Sequence, residues 1–146
     1  MLRKIVISLF VLALCCDTYA QRIANRERIP KIKALHWLDD IVPAETEFTY
    51  IEFVHSRSTP CLESAIKIKR HIDNTDRPFR VIFITSERPD RIDTRLRECS
   101  GGYIGTLLDP SGHLFRDFAV RYIPFGVIID SKRRAVWFGN PLTTDN

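Results

Sequence analysis

Residues 48–54 are dominated by β-branched and aromatic side chains, with Phe48, Tyr50, Ile51, Phe53 and Val54, and the run stops at Ser56, Arg57 and Ser58. Such residues suit a pleated, half-buried surface, so a strand is predicted here. Behind it Leu62, Ala65, Ile66 and Ile72 recur at near-helical spacing, while Glu63, Lys67, Lys69 and Arg70 occupy the remaining surface. That pattern predicts an amphipathic helix reaching about residue 74. Thr59 reads as its N-cap and Pro60 as its first residue, since a first-turn proline gives up an N–H that has no partner anyway. Cys61 then falls in the first helical turn, where unpaired N–H groups and the positive end of the helix dipole favour a thiolate.

Residues 79–85 form an almost wholly apolar run, the signature of a strand covered on both faces. A short helix is predicted over residues 90–98, ended by Gly101 and Gly102. Residues 106–109 are apolar but too short to assign as a strand from pattern alone. Pro110, Ser111 and Gly112 signal a turn, and Leu114, Phe115, Phe118 and Ala119 line one face of a further short helix. Residues 125–130 and 135–138 read as a hairpin whose tip carries Lys132, Arg133 and Arg134. Residues 34–40 are read as a helical turn that presses Leu35, Trp37 and Leu38 onto the domain. Helices alternating with strands and a closing hairpin predict an α/β fold: one mixed sheet with helices on both faces.

The strand and helix around Cys61 resemble the thioredoxin superfamily. Ile51-Glu52-Phe53-Val54-His55-Ser56-Arg57-Ser58-Thr59-Pro60-Cys61 follows that family's strand and Cys-x-x-Cys helix start without a gap. A second landmark, a Val-x-x-x-Pro run entering a hydrophobic strand that ends in Asp, matches Val120 to Asp130 through Pro124. The resemblance covers roughly residues 35–141 and looks most like the secreted, TlpA-like branch of thiol-disulfide oxidoreductases. It implies that Cys61 and Ser58 occupy the two active-site positions, and that Glu52 is the buried acid serving the second cysteine. It also implies a cis bond before Pro124, with the Ile123 backbone, Thr59 and Pro60 forming the substrate shelf. No cofactor is implied, and the expected partners are protein or small-molecule thiols and disulfides. Relatives of this kind usually end in a helix packed on the sheet; none is legible after residue 139, so a domain lacking it is expected.

Ser58 stands where the family has its first cysteine. Disulfide exchange needs a thiolate attacking sulfur, so an unaided serine excludes the ordinary dithiol cycle and leaves monothiol chemistry at Cys61. A module that keeps the peptide groove but has lost turnover is the alternative. The Ser-x-x-Cys spacing also resembles peroxiredoxins, although Val54 holds the place of the proline expected four residues before the serine. Glu52 reads either as a buried acid with a raised pKa or as an outward-facing strand residue. His55 reads either as a titrating neighbour of the site or as an ordinary polar strand end.

Composition and charge bear on compartment, partners and the state of the cysteines. Arg3 and Lys4, the apolar run over residues 5–14, and Thr18-Tyr19-Ala20 have the three-part layout of a cleavable signal, and the run is too short to span a membrane. Residues 1–20 are therefore expected to be a signal peptide, residues 21–34 an exposed lead-in and residues 35–146 the domain, secreted or periplasmic and without stable membrane insertion once cleaved; lipidation at Cys15 or Cys16 is the less favoured alternative, since Leu14 and Cys15 are not the small residues usual before such a cysteine. The mature chain then carries 20 basic and 17 acidic side chains, a net +3 that gives no basis for nucleic-acid binding. Only Cys61 and Cys99 survive cleavage, and the predicted topology keeps them apart as free thiols. His36, His71 and His113 show no ligand spacing with the cysteines, so no metal is expected.

Overall fold

The computed structural model describes residues 28–32 and 36–143, and a six-stranded mixed sheet runs through it. The strands are β1 (His36–Trp37), β2 (Thr49–Phe53), β3 (Arg80–Thr85), β4 (Ile104–Leu108), β5 (Phe125–Ile129) and β6 (Ala135–Gly139). Three helices, α1 (Thr59–Asn74), α2 (Thr94–Glu98) and α3 (His113–Asp117), are joined by 3₁₀ turns at Leu38–Asp40 and Pro89–Arg91. Strand order is β1-β4-β3-β2-β5-β6; β2, β3 and β4 run parallel, and every other pairing is antiparallel.

The side-chain period of two splits the sheet into two cores. Tyr50, Val54, Val81 and Phe83 face one layer, where α1 contributes Leu62, Ala65 and Ile72 and α2 contributes Leu96. Ile51, Phe53, Ile82 and Ile84 face the other, which is closed by Leu114 of α3 and by Phe118. Helices therefore cover both faces, and the centre of β3, residues 81–84, is apolar because it is buried on both. Phe53 anchors the second layer, with the rings of Phe115, Phe118 and Phe125 centred 5.0, 5.1 and 6.2 Å away. Burying a side chain of that size contributes about 1.5–3 kcal/mol.

Several expectations need correction. Residues 36–37 form an edge strand on β4 rather than part of a helical turn, although Leu38 is buried as foreseen. The lead-in is not simply exposed: Ile29 is buried in the second core and its N–H donates to the Arg133 carbonyl at 2.9 Å. Ile66, placed on the apolar face of α1, is 40% exposed, because the buried stripe passes through Cys61, Leu62, Ser64, Ala65 and Ile72 instead. Residues 104–108 are a full strand, stabilised by pairing with β3 that no local pattern reveals. Among the described residues no helix follows β6. The signal-peptide reading lies outside the described residues.

Candidate active site

The register of β2 and β5 brings the sequence landmarks to one end of the sheet. Phe53, the last residue of β2, pairs with Phe125, the first of β5. Residues just after β2 and just before β5 therefore share one sheet end, which gathers the loop leading to Ser58 and Cys61 with Ile123 and Pro124. The Ile123–Pro124 bond is cis, Pro124 is buried, and Ile123 packs against both cores. Tyr122 beside them is 48% exposed.

Helix α1 begins one residue earlier than the sequence suggests. Ser58, not Thr59, is the N-cap, Thr59 and Pro60 form the exposed first two helical positions, and Cys61 is third. Ser58 makes no side-chain cap bond, and its hydroxyl is bonded to the Cys61 sulfur instead. The backbone of His55 also bonds that sulfur.

The expectation of an activated thiolate is corrected by burial. Cys61 is 1% exposed, and desolvation pushes its thiol up by more than the Ser58 and His55 bonds pull it down. The negative fields of Glu52 and Glu87 act in the same upward direction. A helix N-terminus favours charge only where the loss of hydration is smaller than its gain.

Of the two readings of Glu52, the structure shows the buried one, with no exposure at all. Its Oε2 accepts hydrogen bonds from the Tyr50 hydroxyl at 2.5 Å and the Ser64 hydroxyl at 3.0 Å, while Oε1 has no protein partner. Desolvation raises its pKa from the ordinary carboxyl value to about 7, with the Tyr50 and Ser64 bonds pulling the other way. The Tyr50 hydroxyl is in turn held well above its usual range, chiefly by burial.

Sequence reasoning missed Glu87. It lies in the loop after β3, is buried, and accepts from the Ser56 N–H and Ser56 hydroxyl at 2.7 Å each and from the Thr85 hydroxyl at 2.9 Å. Ser56 also accepts from the Asp93 N–H at 2.9 Å, which ties the turn before Cys61 to the start of α2. His55 sits half-buried at the strand end, its Nδ1 accepting from the Arg57 N–H at 3.2 Å. Tyr50 and Ser64 carried a usable signal, since Tyr50 is two residues before Glu52 on one strand face and Ser64 is one helical turn after Cys61. Glu87 carried none, being 31 residues from Ser56.

Cys61 and Cys99 are both free and buried; Cys99 sits at the C-cap of α2, where its thiol donates to the Arg95 carbonyl at 3.3 Å. Among the described residues no three His, Cys, Asp or Glu side chains gather to hold a metal ion.

A parallel β2-α1-β3 unit, an antiparallel β5-β6 hairpin and a cis-proline at the helix-start end of the sheet define the architecture. The fold is thioredoxin-like. The chain is similar to a thioredoxin-like protein from Aeropyrum pernix, with a TM-score of 0.57 and 17% identity, over 67% of this chain and 71% of that one. It is also similar to a secreted disulfide oxidoreductase of Mycobacterium tuberculosis, with a TM-score of 0.55 and 13% identity, over 70% of this chain and 75% of the other. A third similar structure is the bacterioferritin comigratory protein of Xanthomonas campestris, studied for alkyl peroxide reduction: TM-score 0.54, 10% identity, 65% of this chain and 69% of that one. At such identities the likeness is one of fold. No protein-family model and no curated protein matches the sequence.

Proposed function

We propose that this is a secreted or periplasmic monothiol protein of the thioredoxin-like fold, which exchanges thiols and disulfides through Cys61. The observation that carries the reading is the buried Glu52 carboxyl, with a pKa of about 7, in the same protein interior as the Cys61 thiol at the start of α1. An isolated buried carboxyl costs stability, and a half-ionised acid near a thiol is suited to accept its proton. In this reading a substrate disulfide lodges where the first cysteine of a dithiol site would be, against Ser58. Cys61 gives its proton to Glu52, and its sulfur attacks. One S–S bond forms to Cys61 as the substrate S–S bond breaks, and the departing thiolate takes up a proton. An external thiol then releases the adduct.

Thr59, Pro60 and the backbone of Ile123 would receive the chain flanking that disulfide. They share the sheet end of Cys61, and the Ile123 backbone makes no hydrogen bond among the described residues. Secretion rests on the signal reading of residues 1–20, and the mass of the exported chain tests it.

A second reading, a peptide-binding module without turnover, is favoured by the burial of Cys61 at 1% exposure. Insulin-disulfide reduction by the parent and by Cys61→Ser separates the two. Loss of the activity in the variant supports monothiol exchange, and equal rates leave the binding module.

A further inference from the structure

We infer that the pocket beside the Ser58 turn receives a carboxylate of the substrate, making anionic disulfides the preferred class for this site; the inference rests on the monothiol reading above. His55, Arg57, Glu87, Arg88 and Arg91 line an open pocket of about 290 Å³ that begins one residue before Ser58. Its charges do not cancel. The lining holds three guanidinium groups and one carboxylate, Glu87; Asp90 beside it adds a second, and both carboxylates are already engaged. Glu87 is turned inward, its side chain 5% exposed and its oxygens bonded to Ser56 and Thr85. Asp90 is shared by two arginines, 3.1 Å from Arg88 and 3.8 Å from Arg91. Nearby Asp93 is taken by Arg95, which holds its carboxyl low, at about 2.

Arg57 is left with no ion pair among the described residues, on the loop that carries Ser58. A guanidinium fork binds a carboxylate through two parallel hydrogen bonds, a geometry that an ammonium or a neutral group cannot use. A disulfide bearing a carboxylate a few bonds from sulfur would therefore be drawn to the pocket while its sulfur reaches Ser58. One net positive charge about 6 Å from the substrate anion, in a watery rim, raises the encounter rate about threefold at low salt.

The test compares three small symmetric disulfides of similar size: dithiodipropionate (anionic), hydroxyethyl disulfide (neutral) and cystamine (cationic). Adduct formation on Cys61 of the full chain is followed by mass. The expected result is an anionic-to-neutral rate ratio of about three at low salt, falling towards one in an Arg57→Ser chain, where the net charge is cancelled, and at high ionic strength. A ratio of one in the parent chain, or one that the Arg57→Ser substitution leaves unchanged, overturns the inference. A second measurement keeps it separate from the redox reading. In the Cys61→Ser chain, dithiodipropionate but not cystamine should shift the backbone amide resonances of Arg57, Arg88 and Arg91. Such shifts without any adduct in the parent would retain the anion pocket and remove the monothiol reading; their absence overturns the pocket, whatever Cys61 does.

Discussion

Gly126 stands directly across the β2–β5 ladder from Glu52, and the Tyr50 hydroxyl fills the space that a side chain at Gly126 would need. A β-carbon there would lie 2.6 Å from that hydroxyl and 2.9 Å from the ring. The absence of a side chain on β5 thus lets Tyr50 fold back along its own strand and donate to Glu52.

Gly126→Ala is expected to displace Tyr50 and cost about 1–3 kcal/mol, as overpacking in a closed core does. Urea denaturation measures it. The companion Tyr50→Phe removes the bond without the clash, and since that bond lowers the Glu52 pKa, the acid should titrate above 7 in the variant.

Glu52 should make stability fall as pH rises. Its folded pKa, about 7, lies above the unfolded value of ~4.3. Below both values the proton is held in either state and the group has no effect. Between them the unfolded chain releases a proton that the folded chain retains, so folding loses ground, by about 4 kcal/mol once pH is well above 7. Glu52→Gln keeps an acceptor for Tyr50 or Ser64 and removes the titration. Denaturation of the two proteins from pH 4 to 8 should show the variant gaining on the parent by about that amount.

The Cys61 thiol should alkylate with an apparent pKa above that of a free cysteine, because burial dominates its environment. Ser58→Ala removes a bond that lowers the value and should raise it further. Glu52→Gln removes an opposing negative field and should lower it. Residue-resolved alkylation across pH distinguishes Cys61 from Cys99, whose thiol burial also pushes upward.

Glu87→Ala leaves the buried Ser56 N–H and Thr85 hydroxyl without their acceptor, at a cost of about 3 kcal/mol. Glu87→Gln, with one acceptor oxygen, should lose less than half as much. Urea midpoints give both values, and faster hydrogen exchange at the Ser56 amide in the alanine variant would localise the loss.

The main elements were legible because their signals are local. The apolar run over 79–85 announced β3, and the spacing of Leu62, Ala65 and Ile72 announced α1. Pro124, Cys61 and Glu52 were readable as one constellation only through the resemblance, since the pairing of Phe53 with Phe125 that unites them is long-range. What sequence alone left open depends on burial. Whether Glu52 faces the core or solvent turns on a one-residue register, and whether a helix N-terminus activates Cys61 turns on hydration lost to packing. Glu87 and Gly126 act across the fold, on Ser56 and Tyr50, and neither carries a local mark of doing so.

The most direct test of the central claim is the mass of Cys61 after exposure of the full chain to glutathione disulfide at pH 8. A glutathione adduct on Cys61 that an added thiol releases is expected, formed more slowly by Glu52→Gln despite its lower thiol pKa, because the proton acceptor is gone. An adduct confined to Cys99, or no adduct at all, would contradict it.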